Sequence, residues 1–201
     1  MLTESPQLIG SLETSKLTNV RTNHKVFKQV MQLKKKNWLY NYKNIADYPI
    51  YMVKTLSNTY QIYCLNKLEQ AVEYYMEYEL QKCAFLDTEW VTQIMVWRIS
   101  TQEFDGITKE FIFDVLLPEF GTLMTDSQQT LDGKNLWERL IRNAYARKLG
   151  VYFVNFDSQK VIQLNNMRDY QQLCQQLKPW QDAEFGKMYR FAISEFDLIW
   201  K

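Results

Sequence analysis

A chain of 201 residues is long enough to bury one substantial core and too short for two full-sized domains, so neither a disulfide nor a metal is needed to hold it together. Its 46% hydrophobic and 15% aromatic content excludes intrinsic disorder. No run approaches the roughly 18 apolar residues of a membrane span and no basic, apolar leader opens the chain, so a cytoplasmic protein is expected.

The net charge of +1 conceals an asymmetry, because residues 1–46 sum to +6 and the remainder to −5. Such a basic arm suits a polyanion, or an acidic body belonging to its own chain or to a partner. Residues 1–15, rich in Ser, Thr and Glu, show little sign of regular structure. Over 23–39, Val26, Phe27, Val30, Met31 and Leu33 recur at helical spacing while Lys25, Lys28, Lys34, Lys35 and Lys36 supply a charged face. This predicts a basic amphipathic helix. Residues 50–56 and 59–65 read as strands about a Ser57-Asn58 turn. The stripe of Leu68, Ala71, Val72, Tyr75, Leu80 and Cys83 predicts a second helix over 67–83.

Residues 90–100 have the β-branched and aromatic content of a strand, and Asp105-Gly106 signals a turn into a partner strand over 107–117. Pro118 and Gly121 break that strand before it resumes at 122–124. After a polar loop at 126–133, the spacing of Leu136, Trp137, Leu140, Ile141 and Ala144 predicts a helix over 133–149, ended by Gly150. Strands at 151–156 and 161–164 flank a turn, a short helix covers 167–177, and 187–194 reads as a last strand. The order predicts an α+β fold, with a mixed, largely antiparallel sheet flanked by helices. The basic segment 1–46 would stand beside a single domain over 47–201.

The chemistry is bounded first by exclusions. His24 is the lone histidine and lies in the basic segment, where it reads as a solvated surface residue, so a histidine-based metal site or nucleophile pair is not expected. No P-loop and no GxGxxG occur. Cys64, Cys83 and Cys174 share no metal or redox spacing and read as reduced, buried thiols. In the loop at 126–134, Gly133 allows close approach and Lys134 adds positive charge where a helix begins with unpaired N–H groups, a combination suited to a diphosphate. The same residues also suit an ordinary cap, with Asp132 accepting from the first turn while Gln129 and Thr130 decorate a turn. Lys34, Lys35 and Lys36, with Trp38, Tyr40 and Tyr42 nearby, are compatible with nucleic acid as well as with a solvated face. Tyr74, Tyr75 and Tyr78 near one helix face read as a protein-binding patch or as half-buried rings.

Across about residues 48–195 the order of elements resembles the GNAT superfamily of N-acetyltransferases. In that family a central bulged strand splays from its neighbour, the following loop holds the acyl-CoA pyrophosphate against a helix N-terminus, and the next strand lies alongside. Here 107–126 would be the bulged strand, 128–134 the loop, 133–149 the helix and 151–156 the next strand. The resemblance implies an acyltransferase-like domain moving an acyl group from acetyl-CoA or another acyl-CoA to an amine, without a metal. It puts Gln129, Thr130, Gly133 and Lys134 at the cofactor, Glu119 beside the bulge as general base, and Tyr170 as proton donor to the leaving thiolate. The competing reading is a non-enzymatic regulator of the phage or mobile-element type, binding a protein or nucleic acid through the basic and tyrosine-bearing surfaces.

Overall fold

The computed structural model describes residues 17–35, 40–45, 48–54, 59–82, 86, 89–98, 106–126, 131–177, 179–180 and 189–199. They form a mixed α+β protein whose chain divides into two units, Met1–Glu79 with Ile94–Ile107 and Leu80–Gln93 with Thr108–Lys201. The chain crosses between them three times, twice within a strand and once at the start of a helix.

In the first unit, helix α1 (Val20–Lys35) precedes an antiparallel meander of β1 (Tyr40–Ile45), β2 (Tyr48–Lys54), β3 (Thr59–Asn66) and the greater part of β4 (Ala71–Lys82). One face of α1, with Leu17 before it, buries Val26, Phe27, Val30 and Leu33 against Tyr51, Tyr63, Leu65, Val72 and Tyr75 of the strands. A bulge after Cys64/Tyr74, where Leu65 pairs with Val72, turns Val72 onto the same side as Tyr75. The rotation of α1 is set by Asn23: its amide donates to the carbonyls of Leu17 (3.2 Å) and Val72 (2.9 Å), and it accepts from the Val72 N–H (2.7 Å). A side-chain amide thus pairs like a strand edge, and both Val72 backbone groups are satisfied.

The helix expected over 67–83 is corrected to a turn and a strand. Asn66 Oδ1 accepts from the N–H groups of Leu68 (3.0 Å) and Glu69 (3.1 Å), and Gln70 takes φ 52°, which together reverse the chain between β3 and β4. Every residue from Val72 to Tyr78 is buried, so burial on both faces masks the alternation that marks a strand. A period of two is nevertheless present, since Glu73, Glu77 and Glu79 alternate with Tyr74, Met76, Tyr78 and Leu80. Tyr74, Tyr75 and Tyr78 are therefore core residues divided between two faces of β4, and the expected tyrosine patch on one helix face is corrected accordingly.

In the second unit the strand order is β5 (Glu89–Arg98, through Gln93), β6 (Thr122–Met124), β9 (Tyr189–Ser194), β7 (Gly150–Asn155) and β8 (Lys160–Gln163). β5 and β6 are parallel, with Val91 opposite Leu123 and Thr92 opposite Met124. The remaining ladders are antiparallel, and β9 lies between β6 and β7. Helix α4 (Leu131–Ala146) buries Trp137, Leu140, Ile141 and Ala144, as the spacing predicts. Its end is tightened by the Leu149 N–H bond to the Ala144 carbonyl, with Lys148 at φ 59°. The hairpin of β7 and β8 and helix α5 (Met167–Leu177) also lie where the pattern puts them.

The strand expected over 107–117 is corrected to helix. α2 (Ile107–Phe111), a π-helical stretch (Ile112–Leu116) and α3 (Leu117–Phe120) run on without a break. Glu110, Asp114 and Pro118 recur every four residues and are exposed, while Ile107, Phe111, Ile112, Val115 and Leu116 are buried, which is helical periodicity. Pro118 can donate no hydrogen bond and crowds the carbonyl four residues back. The wider turn before it, where the Leu117 N–H bonds the Ile112 carbonyl, relieves that crowding. Gly121, at φ 73°, ends the helix; an added Cβ there would lie 2.2 Å from the Phe196 ring.

The expected Ser57-Asn58 turn, Trp38, Lys36 and Asp105 lie outside the described residues, as do residues 1–15.

Candidate functional site

The expected cofactor residues divide between the described and undescribed parts of the chain. Gln129 and Thr130 lie outside the described residues, and α4 begins at Leu131, ahead of the expected cap Asp132. Gly133 is half-buried in the first turn of α4. Lys134 Nζ sits 3.7 Å from Glu138 Oε1 on the next turn, so its charge is partly met within the helix.

Glu119 stands exposed on α3, on a helix and not beside a strand bulge; the bulged-strand setting expected for it is corrected with the segment that holds it. Tyr170 is 2% exposed on α5. Its hydroxyl accepts from Trp180 Nε1 at 3.1 Å, and its ring meets Phe191 edge-on at 5.1 Å. Burial, followed by the neighbouring Cys174, pushes the Tyr170 hydroxyl above its ordinary range, so it keeps its proton. Burial likewise raises the Cys174 thiol. Glu138 acts electrostatically on both groups and Lys134 on Cys174, so the fold gathers Lys134 and Tyr170 into one neighbourhood of α4 and α5. Tyr170 and Cys174 therefore resist ionisation, and neither is an activated nucleophile.

A feature that sequence spacing alone did not isolate is Gly106. It takes φ 88° immediately before the helical run over 107–120, with open space where a Cβ would point. The Asp105-Gly106 pair reads as a hairpin turn only while 107–117 is taken for a strand. With the helix in place, Gly106 is the entry to that helix.

The first unit also holds a buried polar row on the face of β3 and β4 that α1 covers. Glu77 accepts from the Tyr75 hydroxyl and from Gln61 Nε2 (3.3 Å), and the Tyr63 hydroxyl donates to Gln61 Oε1 (3.0 Å). Burial and then Glu77 raise the Tyr63 hydroxyl; burial and then Glu73 push the Cys64 thiol up to about 12. Among the described residues, no three His, Cys, Asp or Glu side chains gather as a metal site requires, and no helix is long and apolar enough to cross a membrane. No protein-family model matches this sequence, and no curated protein matches it either.

Proposed function

We propose that this chain is an acyltransferase-like protein that carries an acyl group from acetyl-CoA or another acyl-CoA to an amine. The observation that supports the reading is the parallel pairing of β5 with β6 across a helix entered through Gly106. This repeats the order of strand, helix N-terminus and adjacent strand used in the resemblance to N-acetyltransferases, shifted toward the N-terminus from the helix start at 128–134. In the shifted register the start of the helix that Gly106 opens, where the helix dipole is positive, is the candidate place for the pyrophosphate.

In the reaction the amine nitrogen attacks the thioester carbonyl, the C–S bond breaks, a base takes the amine proton and the thiolate leaves with a proton from an acid. Glu119, exposed on α3, is the candidate base, and Tyr170 of α5 the candidate acid.

Isothermal titration of the full chain with acetyl-CoA tests the reading. Saturable binding that Gly106→Asp abolishes and Gly133→Asp leaves intact supports the shifted cradle; the reverse pattern, joined by sensitivity to Lys134→Glu, returns it to α4. No heat with acetyl-CoA or longer acyl-CoAs overturns the proposal. Glu119→Gln and Tyr170→Phe then separate proton transfer from packing, because a role in the chemistry lowers turnover while leaving acyl-CoA affinity unchanged.

A further inference from the structure

We propose that the outer face of α1 grips the sugar–phosphate backbone of a nucleic acid. Arg21, Lys25, Lys28 and Gln32 follow one another at intervals of four, three and four residues, which on a helix makes one continuous ridge. All four are exposed, and with Thr22, His24 and Gln29 they line a surface hollow of about 600 Å³. The opposite face of the helix is buried in the first unit, and Asn23 holds its rotation through both backbone groups of Val72. The ridge is therefore presented in one orientation.

Its charge is not explained by the stability of the helix. The first turn contains no acidic residue, and the N-terminal cap is the neutral Asn19, whose Oδ1 accepts from the Thr22 N–H at 3.1 Å. Arg21 places a cation at the end where the helix dipole is already positive, an arrangement that costs stability. No Asp or Glu occurs from residue 14 to residue 46, against eight Lys and Arg, and none of the ridge cations has an ion-pair partner among the described residues. A cationic row with nothing to neutralise it in its own segment is complementary to a polyanion.

The composition of the face selects among polyanions. Cations interleaved with Gln, Thr and the half-buried His24, without an apolar centre, suit the polar, charged interfaces made with nucleic acids; the centre of a protein–protein interface is typically depleted in charge. From Arg21 to Lys28 the axial rise is about 10 Å, close to three phosphate steps of about 3.4 Å along one strand.

The test measures retention of a fluorescent single-stranded and a duplex oligonucleotide by the full chain across a salt series, with poly-glutamate as competitor. Three phosphate contacts predict that affinity falls roughly 20- to 40-fold between 50 and 200 mM salt. Arg21→Gln, Lys25→Gln and Lys28→Gln together should remove most of that slope without lowering the melting temperature, because the substitutions leave the buried face intact. The single change Lys25→Gln, with about one third of the effect, serves if the triple variant fails to fold. Absence of retention at 50 mM salt, retention indifferent to these substitutions, or displacement by poly-glutamate as effective as by oligonucleotide would each overturn the proposal, the last in favour of an acidic protein partner.

Discussion

The cores of the two units are built from different chemistry. Under α1 the first unit packs a row of tyrosines, Tyr51, Tyr63 and Tyr75, and continues into the hydrogen-bonded polar set of Asn23, Gln61 and Glu77. The second unit buries Trp137, Leu140, Ile141 and Ala144 of α4 together with Val151, Phe153 and Ile193 of its strands, and its buried polar residues are the small hydroxyls of Thr122, Thr125 and Ser194. The first kind of core gains orientation from hydrogen bonds, and a single deletion strands a buried partner. The second gains from apolar area and loses by cavity.

The largest expected effect falls on the apolar core. Trp137→Ala should lower unfolding free energy by about 3–5 kcal/mol through the cavity it leaves, measured by urea denaturation; a loss below about 1 kcal/mol would break the contrast. In the polar core, Asn23→Ala removes little volume but leaves the Val72 N–H and carbonyl unpaired, so about 1–3 kcal/mol should go. If Asn23→Leu restored full stability, packing and not pairing would be setting α1.

Alkaline titration sharpens the same difference. Cys64 ionises near its ordinary value of 9.0 in the unfolded chain and only about 12 in the folded one, so its contribution is complete below pH 9 and is lost as pH rises toward 12. The upper limit of the slope is about 1.4 kcal/mol per pH unit for this group. Melting temperature followed from pH 8 to 10.5 should fall less steeply in Cys64→Ala than in the wild type, relative to each protein's value at pH 8; identical slopes would remove Cys64 from the account. The smallest effect belongs to the exposed pair of Arg147 with Asp114, 2.9 Å apart, for which Asp114→Asn should cost less than about 1 kcal/mol. Arg147 also stacks over Phe113, so Arg147→Ala should cost more than Asp114→Asn in the same melt.

The two segments that sequence spacing misassigned err in opposite directions for a shared reason. Between Ala71 and Lys82 the chain carries a helical stripe and an alternating one at once, and only pairing with β3 and burial of both faces select the strand. Between Ile107 and Phe120 aromatic and β-branched residues suggest a strand, yet exposure at every fourth position accompanies a helix with a π turn ahead of Pro118. Local preference amounts to tenths of a kcal/mol per residue and yields to tertiary burial. The error carried through to the candidate site, because the strand-to-helix entry at Gly106 disappears when the helix is read as a strand. Tyr170 was legible as a residue of α5, but its contact with Trp180 joins residues ten apart through a turn that periodicity does not describe.

By itself the sequence determined the α+β class, the amphipathic faces of α1, α4 and α5, and the β7–β8 hairpin. In each helix one face is wet and one dry, so the period is plain; in the hairpin, where β7 is buried on both faces, the turn at 157–160 carries the signal. Only the tertiary structure decided β4, the helical run into β6, and the placement of β9 between β6 and β7. Those choices depend on partners distant in the chain, and a segment buried on both sides no longer carries in its own pattern the record of which surface it meets.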